Sequence, residues 1–171
     1  MEKKEFINEF IKKNIIKYGD FRLKSGKKSN IYIDMRSIIS YPKLLKNLTT
    51  YIAEKEKKRP YTIVCGVPYG AISLSTAFSL ETNVKSIFIR KEKKEYGTNK
   101  QIEGHFTENE EILLIEDVIT SGQSILETIQ IIERNNLKIG KILTIIDREA
   151  GGVKMLREKG YNIEYVFKKS D

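Results

Sequence analysis

The sequence predicts an α/β protein built on a mostly parallel sheet flanked by helices, and three observations carry that prediction. Short apolar runs rich in Ile and Val recur at 61–66, 84–89, 111–115 and 141–146, without the alternation of a sheet that has one wet face. Segments with helical spacing separate these runs, so each strand feeds a helix that crosses back to the next strand, with right-handed crossovers. The sharpest run is Glu111-Ile112-Leu113-Leu114-Ile115-Glu116-Asp117-Val118-Ile119-Thr120-Ser121-Gly122-Gln123-Ser124. There a buried strand meets two adjacent carboxylates, then a Thr/Ser/Gly/Ser loop, then a helical pattern.

The elements follow in order. Residues 3 to 17 repeat apolar side chains at helical spacing, with Phe6/Phe10 and Ile7/Ile11/Ile15 each four apart, which predicts an amphipathic helix ending at Gly19. Two strand-like pieces then flank a Lys24-Ser25-Gly26 turn, the second continuing through Ile31-Tyr32-Ile33-Asp34, a basic hairpin. Residues 43 to 57 read as a helix, 61 to 66 as a strand, and Val67-Pro68-Tyr69-Gly70-Ala71 as the loop into another helix. A strand over 84 to 89 ends in Arg90 to Lys100, where five basic residues stand against two acidic ones. His105 follows in a loop; with no Cys or acidic partner at ligand spacing it is a poor metal candidate. Beyond the central stretch come a helix at 125–132, a strand at 141–146, the turn Asp147-Arg148-Glu149-Ala150-Gly151-Gly152, a short helix at 153–159 and a last strand at 161–167.

Composition sets the outer limits. A chain of 171 residues with 40% hydrophobic and 32% charged residues is expected to form one domain (1–171) with a core that needs no disulfide or structural metal. The sequence offers no signal peptide and no apolar run approaching a membrane span, so no membrane partner is expected. The single Cys65 excludes an internal disulfide framework and fits a cytoplasmic setting. A net charge of +8 suits a nucleic-acid surface, a pocket for a polyanionic small molecule, or simple Lys richness. Acidic residues interspersed through the chain favour the last, which shifts attention to local clusters.

The central stretch is the strongest of these. Glu116 and Asp117 fall at the carboxyl end of a parallel strand, where open α/β sheets place ligands. The loop after them offers backbone N–H groups and hydroxyls at a helix N-terminus, a cradle for phosphate. Carboxylates repel phosphate, so they more plausibly hold sugar hydroxyls, or water around a metal. An ordinary strand-to-helix turn capped by Ser121 or Thr120 is the plain alternative.

Ile115-Glu116-Asp117-Val118-Ile119-Thr120-Ser121-Gly122 resembles the phosphoribosyl pyrophosphate (PRPP) signature of type I phosphoribosyltransferases. The Lys24-Ser25-Gly26 turn with Tyr32 and Ile33, and the Asp147-Arg148-x-x-Gly151-Gly152 segment, resemble the orotate phosphoribosyltransferases, with Ser37 to Leu45 more like their eukaryotic form, the phosphoribosyltransferase domain of UMP synthase. The resemblance covers about residues 18 to 167. It implies a type I fold with a small N-terminal hood, mainly 1–40, over a PRPP-binding core of about 42–167. It also implies a reaction: orotate and PRPP give orotidine 5'-monophosphate and pyrophosphate, with Mg2+ held mainly through PRPP and not by direct protein ligands, in pyrimidine biosynthesis.

The same resemblance distributes the residues. Val118, Ile119, Thr120, Ser121, Gly122, Gln123 and Ser124 would take the 5'-phosphate, while Glu116 and Asp117 would hold the ribose hydroxyls. Tyr69 and Gly70 would approach the pyrophosphate through backbone groups, with Arg90, Lys91 and Lys94 as its basic partners and Tyr96 where many bacterial members have histidine. Lys24 would reach PRPP or orotate, and Tyr32, Ile33, Thr120 and Arg148 would form the orotate pocket. Lys94, Glu116 and Asp117 are the catalytic candidates. The family's mobile loop reaches a neighbouring subunit, which implies a homodimer with shared active sites. An orotidylate decarboxylase, commonly fused in eukaryotes, is the implied further partner. Two rivals remain: a phosphoribosyltransferase for another base, and a PRPP-binding regulator that binds nucleic acid. Neutral bases would leave Arg148 no carboxylate, and a regulator calls for a separate basic stripe, so no nucleic-acid partner is expected.

Overall fold

A computed structural model of the chain describes residues 1–22, 26, 28–56, 60–92 and 100–171. Helix α1 (Lys3–Lys12) leads into an antiparallel hairpin of β1 (Ile16–Arg22) and β2 (Lys28–Ile33). A 3-10 segment, Met35–Ser40, and α2 (Pro42–Lys55) connect it to the main sheet. There follow β3 (Ile63–Gly66), α3 (Ile72–Thr82), β4 (Lys85–Ile89), β5 (Ile102–Glu103), β6 (Glu111–Ile119), α4 (Gln123–Arg134), β7 (Lys138–Asp147), α5 (Gly152–Glu158) and β8 (Ile163–Lys168). Among the described residues the larger sheet has the order β5-β4-β3-β6-β7-β8, parallel throughout except for the β4–β5 pair at one edge.

The apolar run of β6 explains why this sheet is covered on both faces. Side chains alternate across a strand. Leu113 and Ile115 join one core with Phe6, Phe10, Leu48, Phe78 and Phe167, drawn largely from α1, α2 and α3. Ile112 and Leu114 join the other with Ile125, Ile129, Ile132 and Leu156, from α4 and α5. All four strand residues are at most 1% exposed. The mostly parallel, two-sided sheet expected from the sequence is the one observed.

The first helix is shorter than its apolar spacing predicts. It stops at Lys12, Asn14 takes a left-handed conformation (φ 54°), and Gly19 lies inside β1. Ile15 keeps the helical period but is buried from the turn between helix and strand, its N–H donating to the Phe10 carbonyl. The period was thus continued by a residue that serves the same core from a different backbone. The register of the hairpin shifts between Tyr18 and Phe21, which bulges β1 beside Gly19.

Candidate active site

The site is set by unequal strand lengths. β3 pairs with β6 over Ile63–Gly66 against Ile112–Ile115, with flanking bonds from the Thr62 N–H to the Glu111 carbonyl and from the Val67 N–H to the Ile115 carbonyl. β6 runs on through Glu116 and Asp117 to Ile119, so the two carboxylates lie within the strand and not beyond its end. On the other side β7 keeps pace, pairing Glu116 with Thr144 and Ile119 with Asp147. The flank vacated by β3 is filled by its own loop, 67–71, which includes a cis peptide between Pro68 and Tyr69. That loop brings Gly70 against the Asp117 carboxylate.

Glu116 and Asp117 differ in environment though adjacent. Glu116 is 7% exposed, and burial first, then its hydrogen bond with Asp117 and the Asp117 charge, raises its carboxyl well above the usual range. The N–H of Asp117 donates to Glu116 Oε1 (3.1 Å) and that of Val118 to Asp117 Oδ1 (2.9 Å). Asp117 is half-buried and presents its carboxylate to the loop side of the sheet. The structure therefore offers one accessible acceptor in Asp117 beside a carboxyl that favours its proton.

The loop 120–122 lies open to solvent at the start of α4. Thr120, Ser121, Gln123 and Ser124 are exposed, whereas Ile119 and Gly122 are buried and Val118 is half-buried. Gly122 is left-handed (φ 82°) and caps α4, and the first N–H groups of a helix have no partner within it. Ser121 Oγ accepts a long 3.4 Å bond from the Gln123 N–H, a local cap at the start of the helix. Gly152 supports the loop from β7's side: its N–H donates to the Thr120 carbonyl (3.0 Å), and an ideal Cβ there would lie 3.0 Å from the Gly122 nitrogen.

Two further loops converge on this edge. Arg90, directly after β4, donates through its backbone to the Gln101 carbonyl, and its guanidinium pairs with Glu103 at 3.3 Å. β5, which has no signal of its own in the sequence, thereby closes the base of the 90–101 segment. Lys91 Nζ stands 4.9 Å from the ring centroid of the exposed Tyr69, joining that segment to loop 67–71. Arg148, following β7, donates its N–H to the Ile119 carbonyl and reaches the hairpin with its side chain: Nη2 donates to Ser29 Oγ (3.2 Å) and the Ile31 carbonyl (3.4 Å). Tyr32 and Ile33, both half-buried, lie on the same strand of the hairpin, with the Tyr32 ring 5.5 Å from that of Phe21.

Comparison with known proteins fixes the family. Residues 34–162 match the model of the phosphoribosyl transferase domain. The orotate phosphoribosyltransferase of Pyrococcus horikoshii is 40% identical over 161 residues, covering 93% of this chain and 87% of its own. The chain belongs to the orotate phosphoribosyltransferase family. In solved structures, the orotate phosphoribosyltransferase of Aeropyrum pernix superposes with a TM-score of 0.82 at 25% identity, covering 95% of this chain and 93% of its own. The Leishmania donovani UMP synthase gives 0.88 at 28% identity; it covers 97% of this chain, which spans 36% of that larger protein.

Within this family fold, the residues expected from the sequence divide into two groups. Tyr69, Gly70, Arg90, Lys91, Glu116, Asp117, residues 118 to 124 and Arg148 stand at the carboxyl ends of β3, β4, β6 and β7, and Tyr32 and Ile33 on the adjoining hairpin. Lys24, Lys94 and Tyr96 lie outside the described residues. Two residues at this edge are not singled out by the sequence, and a third, Asp147, is read there only as part of the segment that carries Arg148. Ser29 holds Arg148, and Asp147, 7% exposed, accepts the Glu149 N–H at 2.8 Å to shape the turn that carries Arg148. Arg36 pairs with Asp34 at 3.1 Å, which with its charge keeps the guanidinium protonated, and the Asp117 charge reaches it too. Ser29 and Arg36 sit in a hairpin and a 3-10 turn whose local pattern reads only as surface. Their importance comes from what the fold lays beside them.

Proposed function

We propose that the chain transfers the phosphoribosyl group of PRPP to orotate, forming the bond from C1' to the pyrimidine nitrogen and breaking the bond from C1' to pyrophosphate, within UMP biosynthesis. The observation that carries this reading is Arg148. A guanidinium is held by one terminal nitrogen at the sheet edge, next to the loop 120–122, and the rest of its planar fork suits a carboxylate. Orotate carries such a carboxylate; neutral bases do not.

The remaining assignments follow from charge. Residues 118 to 124 take the 5'-phosphate at the start of α4, and Asp117, with Glu116 behind it, takes the ribose hydroxyls and favours positive charge developing on the sugar. Arg90, Lys91 and Lys94 stabilise the departing pyrophosphate, with Tyr69 and Gly70 supplying backbone groups. Tyr32, Ile33, Thr120 and Lys24 complete the base pocket. Asp117, the more accessible of the two carboxylates, suits the water shell of a Mg2+ ion that would arrive on PRPP, whereas the buried Glu116, whose carboxyl is raised, does not offer itself as a ligand. Such an ion would supply charge neutralisation for the departing pyrophosphate, and Asp117 would be the residue that orients its water shell. A homodimer with shared active sites, a cytoplasmic setting and a decarboxylase that consumes the product belong to the same reading.

The deciding experiment follows orotate by ultraviolet absorbance with PRPP and Mg2+, comparing the native chain with Arg148→Ala. Turnover is expected, with kcat/KM for orotate lowered about a hundredfold in the variant. Turnover of orotate that is indifferent to the substitution, or turnover only of a neutral base, would overturn the assignment.

A further inference from the structure

We propose that Ser29 is a positioning residue for base recognition: the hairpin hydroxyl sets the direction in which Arg148 presents its fork. This rests on the reading that Arg148 takes the substrate carboxylate. Residues 29 and 148 are 119 apart in sequence and come from the two-stranded hairpin and the main sheet respectively. Ser29 lies two residues before the buried Ile31 and so on the same face of β2.

The hydroxyl's bonding gives it a single orientation. It has one proton, donated to the Ile31 carbonyl at 2.7 Å. Its lone pairs are then turned to the Ile31 N–H (3.2 Å) and to Arg148 Nη2 (3.2 Å). The oxygen is thus an acceptor fixed by its own strand. Arg148 enters it at Nη2 and shares the same nitrogen with the Ile31 carbonyl at 3.4 Å. Both contacts fall on one side of a single terminal nitrogen, which fixes the plane of the guanidinium and leaves its other N–H groups as the donors for a ligand carboxylate. On the other side, the Arg148 N–H is tied to Ile119, at the end of the strand that carries Glu116 and Asp117.

An arginine on a loop spreads over many rotamers, and fixing it before ligand arrives removes that cost from binding. Loss of the hydroxyl leaves only the longer contact to the Ile31 carbonyl. Among the described residues the hydroxyl touches Arg148 and its own strand, and nothing of the loop 118–124, so the effect falls on orotate and not on PRPP.

The test is steady-state kinetics on Ser29→Ala, Ser29→Thr and Arg148→Ala, and on Ser29→Ala combined with Arg148→Ala, with thermal unfolding of each. Ser29→Ala is expected to raise the orotate KM roughly tenfold, with the PRPP KM and the unfolding midpoint unchanged. Ser29→Thr, which keeps the hydroxyl, restores the orotate KM. In the Arg148→Ala background the Ser29 substitution adds nothing further. An unchanged orotate KM in Ser29→Ala overturns the proposal. So does an equal rise for both substrates, or a loss that persists without Arg148. Native turnover of orotate with a neutral Arg148→Ala is a different failure: it removes the underlying reading of Arg148, and the role of Ser29 with it.

Discussion

The carboxylate of Asp117 lies directly on Gly70. An ideal Cβ at position 70 would stand 2.6 Å from Asp117 Cγ and 2.8 Å from Oδ1, distances that no real side chain tolerates. The neighbour here is the carboxylate itself, so any substituent moves it. Gly70 thus sets how close the loop after β3 comes to the strand that outruns it.

Gly70→Ala is therefore expected to lower kcat/KM by about tenfold or more, because displacement of a reacting group by even about an ångström has large effects on rate. Thermal unfolding should move little, since the clash is relieved toward the open side of the site. A variant with native kcat/KM would mean that Asp117 tolerates displacement and that its contact with Gly70 has no functional weight.

Cys65 makes the opposite prediction, an absence of chemistry. It is fully buried at the centre of β3, with its thiol directed at the Gly66 carbonyl (3.7 Å), and burial pushes its pKa up to about 12. Thiol reagents attack the thiolate, and here both the anion and a path to it are missing. At about pH 8 the native protein should resist labelling over hours and label fully in concentrated guanidinium. Fast native labelling would show that the β3 region opens far more readily than its packing implies.

What the sequence made legible and what it did not share a physical cause. The run Ile112-Leu113-Leu114-Ile115 announced a strand buried on both faces because burial on two sides leaves a local mark, four consecutive apolar residues. Glu116, Asp117 and the loop after them stood out because two adjacent carboxylates followed by a Thr/Ser/Gly/Ser run are unusual next to such a strand. Residues 3 to 17 misled because Ile15 is apolar for the same core as Phe6 and Phe10, while Asn14 had already turned the chain out of the helix. β5 left no pattern, being two residues long and defined by its pairing with Phe88 and Ile89. The contacts of Ser29 with Arg148 and of Gly70 with Asp117 join segments far apart in the chain. No local period encodes them, and they become visible only when strand lengths and loop approaches are known.

Glu116 carries a prediction about pH. Its carboxyl is raised mainly by burial, with the hydrogen bond and charge of Asp117 adding to it, while the Asp117 N–H and the Lys91 charge act the other way. Between the ordinary glutamate value of 4.5 and the higher value in the folded chain, the native state binds a proton that the unfolded state has lost. Stability conferred by this group therefore falls as pH rises through that window, by up to about 1.4 kcal/mol per unit, and is fully lost above it. Glu116→Gln is neutral at every pH and escapes this loss. In the absence of substrates the variant should match the native chain in unfolding free energy near the lower limit and exceed it increasingly toward neutral pH, even as turnover declines. The check is denaturant unfolding of both proteins across the acid-to-neutral range. A difference independent of pH would mean that Glu116 ionises in the folded chain as it does in water, and that Asp117 does not work beside a protonated neighbour.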